Sequence, residues 1–214
     1  MTTIDVPSVN ASTISTGRVA RPVAFRARGL RRTTAAALRG AGAVTAVVAL
    51  TIPAHFTLHS DPSASGVIAA ATAYGAAAIL SVVLAASIWR LLRARALTSA
   101  LTGSLALLVA SALQLYASLT LIWQGDQALA QVDVLLATAQ MLLGVHLVAA
   151  AAGAIRLRST PLVPAGLGLS GLAVLAAVFP PTWYPQTSDA LLPMAVGQLT
   201  LVIWFLTHWT PTQR

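Results

Sequence analysis

Four polar side chains stand near the centres of long apolar segments: Gln114, Gln140, His146 and Gln198. At the helical rise of 1.5 Å per residue, each lies within roughly 6 Å of its segment's centre. In an apolar interior such groups usually face other helices and form hydrogen bonds, each contributing about 0.6 kcal/mol. The alternative is a small polar site in which His146 exchanges protons, because imidazole titrates near neutral pH. Both interpretations, a structural polar layer and a polar binding site, fit these residue types.

A second group with chemical potential comprises His55 and His59, followed closely by Asp61. Histidines spaced i, i+4 share one face of a helix, an arrangement that can begin a zinc or copper site. A complete site requires further ligands, for which Asp126 and Asp189 are the candidates. Interfacial histidines without a metal are the simpler interpretation. We therefore predict no metal, with the two histidines and Asp61 as the alternative ligands.

The sequence offers little for catalysis or cofactor binding. It contains no cysteine and no glutamate, which excludes thiol catalysis and Cys-ligated clusters. Gly166, Gly168 and Gly171 spell G-x-G-x-x-G, but that fingerprint requires a strand before it and a helix opening after it. Here the glycines lie within an apolar segment, so helix packing explains them better. With no nucleophile–base pair or nucleotide loop visible, we predict no catalytic residue, no cofactor and no enzyme activity.

The composition indicates which elements must position these residues. Of 214 residues, 57% are hydrophobic and only 8% are charged, against about 25% charged residues in a soluble domain. So few charges exclude a large water-facing surface. The sequence therefore predicts an integral membrane protein whose direct surroundings are the lipid bilayer.

Six apolar segments are each long enough to cross a hydrocarbon core, which takes roughly 17–25 helical residues. A spanning helix satisfies its own backbone hydrogen bonds, so these segments predict helices and an all-α fold. A cleaved signal peptide is the alternative for the start of the first segment, but the apolar run continues through Phe56 and Leu58. The predicted spans are residues 40–58, 67–88, 98–122, 133–154, 162–179 and 190–208.

The charged residues predict the orientation of this six-helix bundle. All thirteen basic residues are arginines, and they fall before the first span, on alternate connections and at the C-terminus. Four of the five aspartates fall on the opposite connections. Cytoplasmic connections carry the excess of arginine, so both termini are predicted to be cytoplasmic. The use of arginine without lysine, beside abundant alanine, suggests a bacterial cell membrane.

Two domains follow from this pattern. Residues 1–32 are predicted to be a disordered basic cytoplasmic tail, because they have too little apolar surface to fold alone, and residues 33–210 form the six-helix transmembrane domain. The arginines of the tail suit anionic lipid headgroups at about 1 kcal/mol each. Because the net charge of +8 is explained by topology, we predict no nucleic-acid partner. Other membrane proteins are the remaining candidate partners.

The stretch Met141–Trp209 resembles the bacterial membrane family of domain of unknown function 4386. The similarity lies in the run from Gly144 to Leu147, the run from Arg158 to Pro164, the glycines of the fifth span, and Gly197-Gln198 with Trp204-Phe205-Leu206. The resemblance implies a six-helix bundle of about this length and brings no known activity. Members of the family commonly carry a glutamate where this chain has Gln198, so any proton chemistry of that acid is lost here.

These observations favour a non-enzymatic multi-pass membrane protein that is structural, regulatory or part of a membrane complex. The alternative is a small transporter or permeation module with a polar midplane site around His146. A water-filled cavity reaching His146 would favour the second, whereas a tightly packed midplane would favour the first.

Overall fold

The computed structural model describes residues 20–60, 63–178 and 191–209. The chain divides into two compact units, Met1–Arg32 and Thr33–Arg214. In the first unit the described residues are helical from Ala20 onward, within the segment predicted as a tail. The second unit contains the remaining described helices and every polar residue singled out above that the structure describes.

The described residues are all-helical, as the sequence predicts, and contain no strand. Each helix matches a predicted span or extends it at both ends, because the helical backbone continues beyond the apolar residues. A short 3-10 turn, Gly125–Ala128, joins the third helix to the fourth. The helices are α1 (Ala20–Ser60), α2 (Ala64–Leu92), α3 (Leu97–Gln124), α4 (Leu129–Arg156), α5 (Leu162–Val178) and α6 (Leu191–Trp209).

Three stretches of the described residues are long and apolar enough to cross a membrane: Arg32–Ser60, Ala64–Leu92 and Leu97–Arg156. The third stretch contains α3, the 3-10 turn and α4. Two shorter apolar stretches, Leu162–Ala177 and Leu192–Thr207, follow in α5 and α6.

The outward faces of these helices are apolar, whereas many polar side chains are inside. Ile79, Leu105 and Leu169 are 66%, 57% and 70% exposed. In contrast, serines, two glutamines and a histidine are buried between helices. A water-soluble domain exposes charged and polar groups instead, so this distribution is typical of a protein surrounded by lipid.

Three serines of α3, spaced seven residues apart, bind the backbone of α2. The Ser104, Ser111 and Ser118 hydroxyls donate to the carbonyls of Ala85, Ala78 and Ala71 at 3.1, 2.5 and 2.7 Å. The acceptors are also seven residues apart and run in the opposite direction, so α2 and α3 are antiparallel. Small residues permit the close approach that these bonds require. We call this row the serine ladder.

The turn between α4 and α5 stops the fourth helix with a Schellman motif. Arg158 takes a left-handed conformation at φ 54°, and the amides of Arg158 and Ser159 bond to the carbonyls of Ile155 and Ala154. This pattern closes the free carbonyls of a helix end. The Ser159 hydroxyl then accepts a 2.9 Å bond from Trp204 Nε1, which ties the turn to α6.

The glycines of α5 lie where neighbouring helices approach, as the packing interpretation predicts. A Cβ at Gly171 would lie 2.8 Å from the Gly144 carbonyl oxygen on α4. A Cβ at Gly166 would lie 3.0 Å from Thr200 on α6. At Gly168 the nearest neighbour would be Ala151 at an ordinary 3.7 Å. Two of the three glycines therefore allow neighbouring helices to approach closely.

Candidate functional site

A cavity of about 20 Å³ lies between five of the six helices. Three of the four residues of the predicted polar layer, Gln114, Gln140 and Gln198, line it. Helices α3, α4 and α6 each supply one of these glutamines. The other lining residues are Val47, Val48, Thr51, His55, Tyr74, Leu136, Leu143 and Met194.

Two of these amides have oxygens without a partner. Gln114 and Gln198 are 5% and 2% exposed, and no described residue hydrogen-bonds to either Oε1. A buried polar atom left unpaired costs about 1–3 kcal/mol. The interhelical hydrogen bonds predicted for the layer are therefore absent at these two oxygens. The amides line the small cavity instead.

His146 lies elsewhere. It is fully buried, is not among the residues lining the cavity, and its Nδ1 is 3.4 Å from the position that a Cβ would take at Gly103. Neither ring nitrogen has a hydrogen-bonding partner among the described residues. The sequence predicts how deep His146 lies in the bundle, but it does not predict which face of α4 carries the side chain. Six residues after Gln140 turn a helix by about 600°, which puts the two side chains about 120° apart.

Thr51 and Tyr74 also line the cavity, and neither is among the site residues predicted from the sequence. Thr51 is 6% exposed and its hydroxyl donates to the Val47 carbonyl at 2.8 Å. Helical spacing was the available signal, because Val47, Thr51 and His55 are four residues apart and share one face of α1. Tyr74 is 3% exposed on α2, and no sequence pattern distinguished it.

The predicted histidine pair forms on one face of α1, and Asp133 lies beside it. The rings of His55 and His59 lie 4.2 Å apart between centroids. His59 Nδ1 donates to the His55 carbonyl at 2.8 Å, and His59 Nε2 lies 3.6 Å from Asp133 Oδ1. Since Nδ1 carries the donated hydrogen, Nε2 forms an ion pair with Asp133 only when the ring is protonated.

Within the described residues, no three histidine, aspartate or glutamate side chains converge as metal ligands. Asp61 and Asp189, two of the expected ligands, lie outside the described residues. Asp126, another of the expected ligands, lies in the turn between α3 and α4. Because His55 lines the cavity and His59 is about half exposed at its side chain, the pair connects the cavity wall to the surface.

The described chain is thus an all-helical protein with helices apolar and long enough to cross a membrane. No family model, no curated protein and no solved structure matches it. The similarity of Met141–Trp209 to the family of domain of unknown function 4386 stays a prediction.

Proposed function

We propose that the chain is a six-span, non-enzymatic protein of the bacterial cytoplasmic membrane, with structural or regulatory roles in membrane complexes. The observation that carries the proposal is the reversed polarity of the helices, with isoleucine and leucine outward and serine and glutamine inward. Outward apolar faces suit lipid tails and the apolar faces of other membrane proteins equally well. They provide no surface for water.

Helix lengths support six spans. At 1.5 Å per residue, the 29, 28 and 28 residues of α2, α3 and α4 extend about 42–44 Å each. This exceeds the hydrocarbon thickness of about 30 Å. The 17 residues of α5 and the 19 of α6 reach about 26–28 Å, which is the lower limit for a span.

The orientation follows from arginine placement. Arg93 and Arg95 lie between α2 and α3, and Arg158 lies between α4 and α5, whereas Asp126 lies in the turn between α3 and α4. Under the positive-inside rule the arginine-bearing turns are cytoplasmic. Both termini are then cytoplasmic too, and the N-terminal arginines meet anionic lipid headgroups.

The absence of cysteine makes a direct topology test possible. Single cysteines at Ala64, Ala94, Gln127 and Thr160, all exposed beside or within connections, would be reacted with a membrane-impermeant maleimide on intact cells. Positions 64 and 127 should label without lysis, and positions 94 and 160 only after lysis. The cysteine-free parent is the control. Labelling of all four on intact cells, or of none after lysis, would refute the topology.

A second candidate function is the binding or permeation of a small polar molecule. The cavity lined by Gln114, Gln140 and Gln198 is the observation that favours it. This candidate centres on the glutamines instead of His146, which is not part of the cavity wall. A His146→Ala variant should accordingly leave any transport and its pH response unchanged, while Gln114→Leu should reduce transport.

A further inference from the structure

We infer that the glutamine-lined cavity is a binding site for ordered water inside the bundle. The inference deepens the second candidate function, because it names the ligand of that site. It rests on three observations: the size of the cavity, the three glutamine amides in its wall, and the absence of a charged partner for an ion among its lining residues.

The size suits water and little else. The cavity measures about 20 Å³, and a site of this kind requires roughly 10–15 Å³ to hold one water molecule. A metabolite with several non-hydrogen atoms does not fit unless helices separate. Five helices contribute to the wall, so such a separation would disturb most of the domain.

The wall supplies the hydrogen-bonding groups that a buried water needs. A water held inside a protein makes about three bonds, usually to groups that otherwise lack partners, whereas cavities that stay empty are apolar. The side chains of Gln114 and Gln198 line the cavity, no described residue hydrogen-bonds to either Oε1, and an amide group both donates and accepts hydrogen bonds. Gln140 and Tyr74 bring further polar groups to the same wall.

A cation is a poorer ligand for this cavity. None of its lining residues is an aspartate, glutamate, lysine or arginine. An ion without a counter-charge is strongly disfavoured in an apolar interior. A neutral molecule that donates hydrogen bonds is the better match.

The histidine pair offers water a way in. His55 lines the cavity and its ring lies 4.2 Å from the ring of His59 between centroids. The side chain of His59 is 46% exposed and faces Asp133. On the opposite side, Trp204 and Phe205 are 1% and 0% exposed within the packed apolar core. The arrangement is a water-filled pocket reached from the histidine side of the bundle.

Radiolytic footprinting of the full chain in lipid nanodiscs tests the inference, because hydroxyl radicals formed from bound water oxidise the side chains beside it. Met194 lines the cavity and Trp204 does not. Both are almost fully buried at 5% and 1% exposure, and both side chains react readily with radicals. With water in the cavity, Met194 should oxidise several-fold faster than Trp204. Equal, slow oxidation of the two would overturn the inference.

A variant pair checks the role of the amides. Gln114→Leu/Gln198→Leu should slow Met194 oxidation to the rate of Trp204, and the control Gln124→Leu/Gln131→Leu, at two exposed glutamines, should leave it unchanged. Fast oxidation retained in the first variant would contradict the assignment. If the first variant does not fold, the comparison within the wild-type chain decides. If Met194 oxidises fast but no solute permeates, the permeation proposal is refuted and the water site is not.

Discussion

Replacing Gly171 and Gly168 by alanine, one at a time, tests how α5 packs on α4. Both glycines lie in the same helix, three residues apart. A methyl group at Gly171 would lie 2.8 Å from the Gly144 carbonyl oxygen and 3.0 Å from the Val148 amide nitrogen. Neither backbone atom can rotate aside. At Gly168 the same methyl would meet only Ala151 at 3.7 Å.

The two substitutions share one favourable contribution and differ in one unfavourable contribution. Alanine is better than glycine in a helix by up to about 1 kcal/mol, which applies to both positions and cancels in their comparison. Forcing a group into a packed contact costs about 1–3 kcal/mol, and this applies to Gly171→Ala alone. The free energies of unfolding should therefore differ by about 1–3 kcal/mol, with Gly168→Ala at or above the wild type.

The assay is reversible unfolding in mixed micelles with increasing dodecyl sulfate, followed by circular dichroism. Gly171→Ala should unfold at a lower fraction of the denaturing detergent than Gly168→Ala. Equal midpoints would show that α4 and α5 do not approach at Gly144 and Gly171. If Gly168→Ala were less stable than Gly171→Ala, the register of α5 against α4 would be refuted.

Three further substitutions are measured by the same titration. Ser111→Ala removes one hydrogen bond of the serine ladder and should lower the free energy of unfolding by about 0.6 kcal/mol, with about 2 kcal/mol as the upper limit. The control is Thr138→Ala, because the Thr138 hydroxyl bonds within its own helix. Equal losses in the two variants would show that the ladder does not stabilise the bundle. His146→Leu removes a buried ring without hydrogen-bonding partners and should change stability by less than about 1 kcal/mol or increase it; a loss of several kcal/mol would reveal a partner for the ring. Asp133→Asn breaks a half-exposed pair and should cost less than about 1 kcal/mol; a larger loss would mean that this pair supports the bundle.

The helices were predictable because an apolar segment long enough to cross the hydrocarbon core must satisfy its own backbone hydrogen bonds, which favours a helix. The span 98–122 lies within α3 (Leu97–Gln124), and the other predicted spans match their helices to within about one residue or lie inside them. Helix ends were less predictable, because they depend on local bonds such as the Schellman motif at Arg158. The periodic serines of α3 were visible in the sequence, but their acceptors on α2 depend on helix pairing.

The sequence predicts how deep the site residues lie in the bundle, but it does not predict the direction in which their side chains point. Gln114, Gln140 and Gln198 were selected because they lie near span centres, and they share one cavity. His146 has the same depth but a different helical face, and depth alone does not reveal the face. The sequence places Asp133 among the aspartates of the connections and does not predict its contact with His59. Such contacts between helices depend on the rotation of each helix about its axis.

Contact between lipid tails and the outward apolar faces of these helices is the most direct test of the membrane assignment. Bromine-labelled phospholipids quench tryptophan only where the ring touches lipid tails. The measurement uses two chains with a single tryptophan each. In the first chain Trp204 is kept and the other tryptophans are replaced by phenylalanine. In the second chain all native tryptophans are phenylalanine and Leu105→Trp supplies the only tryptophan. Leu105 is 57% exposed and Trp204 is 1% exposed. The account predicts strong quenching at position 105 and little at 204. An unquenched position 105 in reconstituted vesicles would contradict it.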